Sequence, residues 1–226
     1  MSSPDGGTSS GATPAGGPPS PASGISPEIL TAVLDDFDHE ASVVNAAGRS
    51  RSEVRRRAAV AAVFTAGPTD TELLFIQRAT VPGDPWSGQM AFPGGRVEPT
   101  DRNLHATATR ETAEEIDLDL LGSRHLGDLS QVQGGQTTSR LIDVSGHCYW
   151  LEGSPPSLNP NHEVADTLWV PLSDLLDHGR YIDYWYQQAE ARFPGIQLNR
   201  PEQVIWGLTL RFLADLFQRL ERGFII

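Results

Sequence analysis

Cysteine and basic charge are what this chain has least of. Cys148 is the only cysteine, which excludes an intrachain disulfide and a thiolate zinc site and fits a reducing, cytoplasmic setting. Seventeen basic residues stand against 29 acidic ones, a net charge of −12. So acidic a chain lacks the electrostatic footprint for sequence-independent binding to nucleic acid or to an anionic membrane. It suits an enzyme that holds cations and uses them to meet an anionic ligand. Long apolar runs are also missing: the longest, around residues 58–64, is far too short to span a bilayer. No basic start followed by an apolar segment opens the chain, so a secretory signal is not expected.

Residues 1–24 consist almost wholly of Ser, Gly, Pro, Ala and Thr, with Asp5 as their one charge. They offer little apolar surface to offset the entropy of ordering, and a disordered tail is expected there. One domain is expected over 25–226. Ser26-Pro27-Glu28 has the form of a helix start, followed by Ile29, Leu30, Val33, Leu34 and Phe37 at helical spacing. Residues 58–64 and 73–77 read as strands joined by the turn Gly67-Pro68-Thr69-Asp70. Further strands are expected at 141–151 and 167–170. Helices are expected from Thr100 or Asp101 to about Ile116, from Pro171 through Leu176, and from Pro201 through Leu220. Strands and helices without a regular repeat favour an α+β fold, a mixed sheet between helices, over a doubly wound parallel one.

What stands out is Phe92-Pro93-Gly94-Gly95 followed by Arg110-Glu111-Thr112-Ala113-Glu114-Glu115. Glu111, Glu114 and Glu115 occupy positions i, i+3 and i+4 and share one helix face. Uncompensated like charges at this spacing destabilise a helix by about 0.2–0.5 kcal/mol per pair. A solvated acidic face is one reading. The other is a carboxylate cradle for a divalent cation, Mg2+ or Mn2+, which prefer hard oxygen donors. The glycine pair upstream would allow positive φ or close approach of a ligand to the backbone. Arg110 could pair with a neighbouring carboxylate and fix its rotamer.

The order of these pieces, with Glu98 and Asp101 in the spacer, resembles the Nudix box. The resemblance implies an α/β/α sandwich with a mixed β-sheet. It also implies a metal-dependent hydrolase that cleaves a nucleoside diphosphate linked to another group, and at family level a homodimer. Carried over, Glu111, Glu114 and Glu115 would be metal ligands, a carbonyl of Gly94 or Gly95 would join them, and Arg110 would orient the helix carboxylates. A water would be the nucleophile, and Glu114, Glu115 or Glu163 would accept its proton. The chain departs from the general pattern in three places. Asp101 stands where Glu is usual, eight residues separate it from Arg110 where seven are more common, and Asp117 replaces a glycine after the glutamates.

More of the chain, about 56–220, is similar to the coenzyme A diphosphatase-like subgroup. Gly88-Gln89, Pro160-Asn161-His162-Glu163-Val164, Trp169-Val170-Pro171-Leu172, Phe193-Pro194-Gly195 and Trp206-Gly207-Leu208-Thr209 carry this similarity. Coenzyme A or an acyl-CoA is therefore the first expected substrate, with ADP-ribose, NADH or another nucleotide as alternatives. A nucleotide-binding module without hydrolysis is the rival outside the enzyme class. The loop at 80–87 lacks the arginine the subgroup carries there, a natural partner for a substrate phosphate.

Glu163 reads either as a further ligand or general base, or as a solvated loop glutamate. Trp86 reads as a loop anchor or a base-stacking residue. Tyr181, Tyr184, Trp185 and Tyr186 are expected to pack in the core or a dimer contact. Arg55-Arg56-Arg57 could meet phosphates or form a basic surface cluster. His105 and His162 lack partners at metal spacing, and structural roles are expected for both.

Overall fold

In the computed structural model, which describes residues 22–34, 56–84, 86–135 and 141–222, the apolar run at 58–64 lies inside strand β1 (Arg56–Ala66). Its side chains alternate between two cores: Ala59, Ala61 and Val63 face one, Ala58, Ala62 and Phe64 the other. Burial on both faces explains why the run lacks the apolar–polar alternation of a half-solvated strand. β1 pairs antiparallel with β2 (Thr71–Arg78) and with the short β4 (Gly94–Arg96), and parallel with β6 (Ile142–Leu151). β3 (Met90–Ala91) and β7 (Val164–Pro171) pair with β2, and β5 (Arg124–Gly134) with β6, completing a seven-stranded mixed sheet. Three antiparallel strands, β8 (Tyr181–Tyr186), β9 (Ala191–Gln197) and β10 (Val204–Trp206), form a second sheet.

Helices lie on both faces of the larger sheet. α2 (Leu104–Ile116) buries Ala108 and Ile116 with Ala59, Ala61 and Tyr149. On the other face, α1 (Pro27–Leu34) and α4 (Gly207–Arg219) pack over Phe75, Phe92 and Cys148. Phe92 stacks between Phe75 and Phe212, with ring centroids 5.2 and 6.3 Å away. A four-residue helix, α3 (Leu172–Leu175), follows β7. The mixed sheet between helices is the architecture expected from the sequence. No helix among the described residues is long and apolar enough to cross a membrane.

Several boundaries differ from expectation. The helix expected from Pro201 starts only at Gly207. Val204, Ile205 and Trp206, β-branched and aromatic, instead pair with β9 as a strand. Gly207, at φ +62°, makes the break between strand and helix. α2 begins at Leu104 because Asn103 caps it, its Oδ1 accepting from Ala106 N–H at 2.8 Å. β5 has no counterpart in the sequence reading, and its two register shifts against β6 break the period-2 signal.

Residues 1–21 of the expected tail, together with Phe37 and Arg55, lie outside the described residues. The last residues of that stretch are tied down: Ala22 N–H bonds Thr69 O at 2.9 Å, and Ser23 reaches Asp70. The Asp70 carboxylate accepts from Ser23 N–H, Ser23 Oγ–H, Thr71 N–H and Ser173 N–H. It thus joins the segment before α1, the β1–β2 turn and α3. Burial opposes its ionisation, yet the hydrogen bonds from Ser23 and Ser173 hold its pKa below the ordinary value. A depressed folded-state pKa contributes stability above the unfolded value of about 3.9 and loses it as pH falls through the folded value. Asp70→Asn should therefore cost about 1–3 kcal/mol at pH 7, with the gap to wild type narrowing below about pH 4. Urea unfolding curves across pH measure both effects.

Candidate active site

Glu111, Glu114 and Glu115 lie in the last turns of α2, where the helix dipole is negative and no basic residue occupies the final turn. Nothing in helix energetics favours anions there. The end of the helix is nevertheless well made. Asp117 takes the left-handed conformation, φ 58°, and its N–H bonds Ala113 O at 3.0 Å. The last carbonyls are satisfied by the loop before β7: Asn161 Nδ2 donates to Glu114 O, Asn161 N–H to Glu115 O, and Asn159 N–H to Ile116 O. These bonds, with Ala79 N–H donating to Glu163 O at 2.7 Å, bring Glu163 close enough to disfavour ionisation of Glu111 and Glu115.

The glycine turn sits between β1 and α2. Pro93 O accepts from Ala61 N–H at 2.8 Å, and Gly94 N–H donates to Glu115 Oε2 at 2.9 Å. Gly94 adopts φ +148°, and a Cβ there would run into Ala59 O and Val60. A Cβ on Gly95 would land on the Glu111 carboxylate. Close approach to a strand backbone therefore requires glycine at position 94, whereas at Gly95 it leaves room for a site carboxylate.

Arg110 uses all five of its N–H groups within the protein. Nε and Nη2 grip Asp101 at 3.0 and 2.9 Å, Nη2 also reaches Arg96 O, and Nη1 donates to Glu111 and Glu114 at 3.1 and 3.2 Å. It is thus a positioning residue that links the glycine-turn strand to two site carboxylates. Asp101 is in turn held by Glu98 N–H and Thr107 Oγ–H. Its bonds from Arg110 keep the Asp101 carboxyl well below the usual range and raise Arg110 above its own. The shorter acid and longer spacer leave this pairing intact.

Burial pushes the Glu115 carboxyl up to about 7; Glu111 and Glu163 add to the rise, while Gly94 N–H and Arg78 oppose it. Glu111 is also raised by burial, with Arg110 opposing and Glu114 and Glu163 adding. Glu115 is 3% exposed, whereas the Glu114 side chain is 58% exposed. The three carboxylates thus run from interior to solvent. Anionic hard donors crowded against one another with one fully engaged arginine fit a divalent cation such as Mg2+ or Mn2+.

Arg78 was missed by sequence reasoning. It ends β2, its charge acts on Glu115, its Nη2 meets Asp84 at 3.4 Å, and its buried Nε has no hydrogen-bond partner among the described residues. As one arginine at a strand end it gave no local signal. Tyr184, Tyr186, Phe193 and Trp206 form a half-buried cluster, with Tyr186 and Trp206 centroids 4.4 Å apart. Trp185 is exposed on the opposite face of β8, under Arg192. These aromatics lie on the smaller sheet outside the core, whereas Tyr181, half-buried, packs against the core as expected. Trp86 is half-buried, Arg56 and Arg57 are exposed at the start of β1, and His162 is exposed beside Glu163. His105 makes ring contacts with His125, His147 and Tyr149 and is not among the three side chains at metal spacing.

Crowded carboxylates at a helix end, beside a close-packed glycine turn, suit the class of enzymes that use a divalent cation on phosphate-containing substrates. A NUDIX domain family model matches residues 55–189. Curated relatives include the "Uncharacterized Nudix hydrolase NudL" of Photorhabdus laumondii, 30% identical over 186 residues, covering 75% of this chain and 88% of the relative. The protein of the same description from Pectobacterium atrosepticum is 31% identical over 166 residues, covering 72% and 81%. The chain belongs to the Nudix hydrolase family. Similar solved structures include a MutT/nudix family protein from Enterococcus faecalis (TM-score 0.49, 14% identity, 86% and 73% coverage). A C. elegans Ap4A hydrolase has TM-score 0.46 and 18% identity, with 60% and 90% coverage.

Proposed function

We propose that this Nudix hydrolase cleaves the diphosphate linkage of coenzyme A or an acyl-CoA, yielding 3',5'-ADP and phosphopantetheine or its acyl form. The observation that carries hydrolysis is the arrangement of Glu111, Glu114 and Glu115 around the glycine turn, braced by Arg110. A divalent cation held by these glutamates, with a carbonyl of Gly94 or Gly95, would lower the pKa of water and neutralise phosphate charge. The chain's own groups do the rest. Water forms the new P–O bond as the bridging P–O bond breaks, and a carboxylate takes the proton. Two observations support Glu163 in this role: its side chain is 54% exposed, and its charge acts on Glu111 and Glu115. General-base assistance of this kind contributes on the order of 10²–10⁴-fold.

Three supports favour coenzyme A. Motifs far apart in sequence assemble next to the glycine turn: Thr209 Oγ–H donates to Met90 O at 3.1 Å, and Trp206 lies 5.4 Å from Phe193. The aromatic cluster adjoins the 80–87 loop, where Asp84 raises the pKa of Tyr186 after burial and Tyr184, and it offers a stacking surface for adenine. Arg78 supplies a guanidinium for a substrate phosphate, replacing the arginine missing from that loop. The altered loop favours a second reading, a pyrophosphatase for ADP-ribose, NADH or another nucleotide. Phosphorus NMR of turnover on coenzyme A, acetyl-CoA, ADP-ribose, NADH and a nucleoside triphosphate, with Mg2+ or Mn2+, separates the two. Resonances of 3',5'-ADP and phosphopantetheine, formed fastest, are expected. Faster cleavage of another substrate would transfer the assignment, and tight binding without turnover would indicate a non-hydrolytic module.

A further inference from the structure

The bulge in β5 builds a second cluster of donor groups at the other end of α2. Residues three apart in a regular strand point to opposite faces. Here His125 pairs with Tyr149, Gly127 with Cys148 and Asp128 with His147, so one extra residue lies between His125 and Gly127. The bulge turns His125 and Asp128 to the same face, beside His147 and Tyr149 of β6. Gly127 permits it: its φ is +133°, and a Cβ there would meet Leu34 of α1 at 2.7 Å. His105, in the first turn of α2, covers the group, its ring centroid 5.0 Å from His125 and 6.0 Å from His147.

Asp128 Oδ1 lies 3.0 Å from His125 Nε2 and 2.5 Å from His147 Nδ1. Among the described residues, one donor atom from each of these three side chains falls within 4.8 Å of the others. Asp128 and His147 are buried, while the His125 side chain is 37% exposed and leaves a path from solvent. A further polar atom in this interior, Tyr149 OH, has no hydrogen-bond partner among the described residues. Buried polar atoms without partners are uncommon, and an ion or water is a usual reason for them.

We propose that His125, Asp128 and His147 form a metal site for a zinc-class ion, separate from the carboxylate site. Two imidazoles and one carboxylate suit Zn2+, Co2+ or Ni2+, whereas the glutamates suit Mg2+ or Mn2+. Bonds of about 2.0–2.2 Å at tetrahedral angles place neighbouring donors about 3.3–3.5 Å apart, so the two histidine–aspartate pairs need spread by no more than about 1 Å. On binding, the ring proton now directed at Asp128 moves to the other nitrogen of each neutral imidazole, and the ion takes the lone pair this leaves. The ion would staple β5 to β6 beneath the first turn of α2. Along the helix axis it lies roughly 9–15 Å from Glu111 and Glu115, from the rise per residue.

Cobalt titration of the full-length protein in excess Mg2+, read by visible d–d absorption, tests this directly. One saturable equivalent is expected, together with a rise in melting temperature on adding Zn2+. His125→Ala, on the exposed side, should weaken Co2+ binding by at least about 100-fold and abolish the Zn2+ shift. His147→Asn should do the same wherever circular dichroism shows it folded. Absence of a saturable Co2+ band in wild type, or equal binding in His125→Ala, would overturn the proposal.

Discussion

Glu115→Gln should lower diphosphate hydrolysis on the order of 10²–10⁴-fold while leaving the fold intact or slightly more stable. Its carboxyl is buried beneath the glycine turn and pushed up to about 7, chiefly by burial. Charge there at neutral pH works against folding, so a neutral amide relieves the protein in the absence of a cation. Gln also keeps an oxygen to accept from Gly94 N–H, so the turn need not move. What it removes is an anionic donor. Glu111→Gln and Glu114→Gln should lose activity for the same reason, and each also weakens a bond to Arg110. Near wild-type turnover by the Glu114 or Glu115 variant at saturating Mg2+ would disprove the cradle. Melting curves beside the kinetics separate lost chemistry from lost structure.

The two glycines should fail differently. At Gly94 an alanine Cβ meets the backbone of β1, at the centre of the larger sheet, and φ +148° is unfavourable for any side chain. Gly94→Ala should cost about 3 kcal/mol or more in urea unfolding, with activity lost through the fold. At Gly95 the Cβ meets only the far end of the Glu111 side chain, which can swing away. Gly95→Ala should stay within about 1 kcal/mol of wild type yet lose roughly 10²-fold in turnover, because Glu111 leaves its position. Equal stability losses at both positions would show that the turn is held as one unit and that Glu111 is not specifically displaced.

The acidic triplet and its helix were legible because their pattern is local. Positions i, i+3 and i+4 share a face whatever surrounds the helix, and Asp117 tolerates the left-handed cap on its own chemistry. The strand at 58–64 was likewise carried by neighbouring residues. The strand at 204–206 was not, since its apolar residues also satisfy a helical period and only pairing with β9 distinguishes the two.

Local spacing by itself therefore determined the carboxylate face, the glycine turn and the mixed α/β character of this protein. Tertiary structure decided which distant groups complete them. Asn161 fastens the Glu163 loop to the helix end, and Arg78 reaches Glu115 from another strand. His105 gathers with His125, Asp128 and His147 across a bulge that reverses the facing of a strand. The physical reason is common to all three. Periodicity acts through residues a few positions apart, whereas register, bulges and loop docking are set by hydrogen bonds between segments that meet only when the sheet has formed.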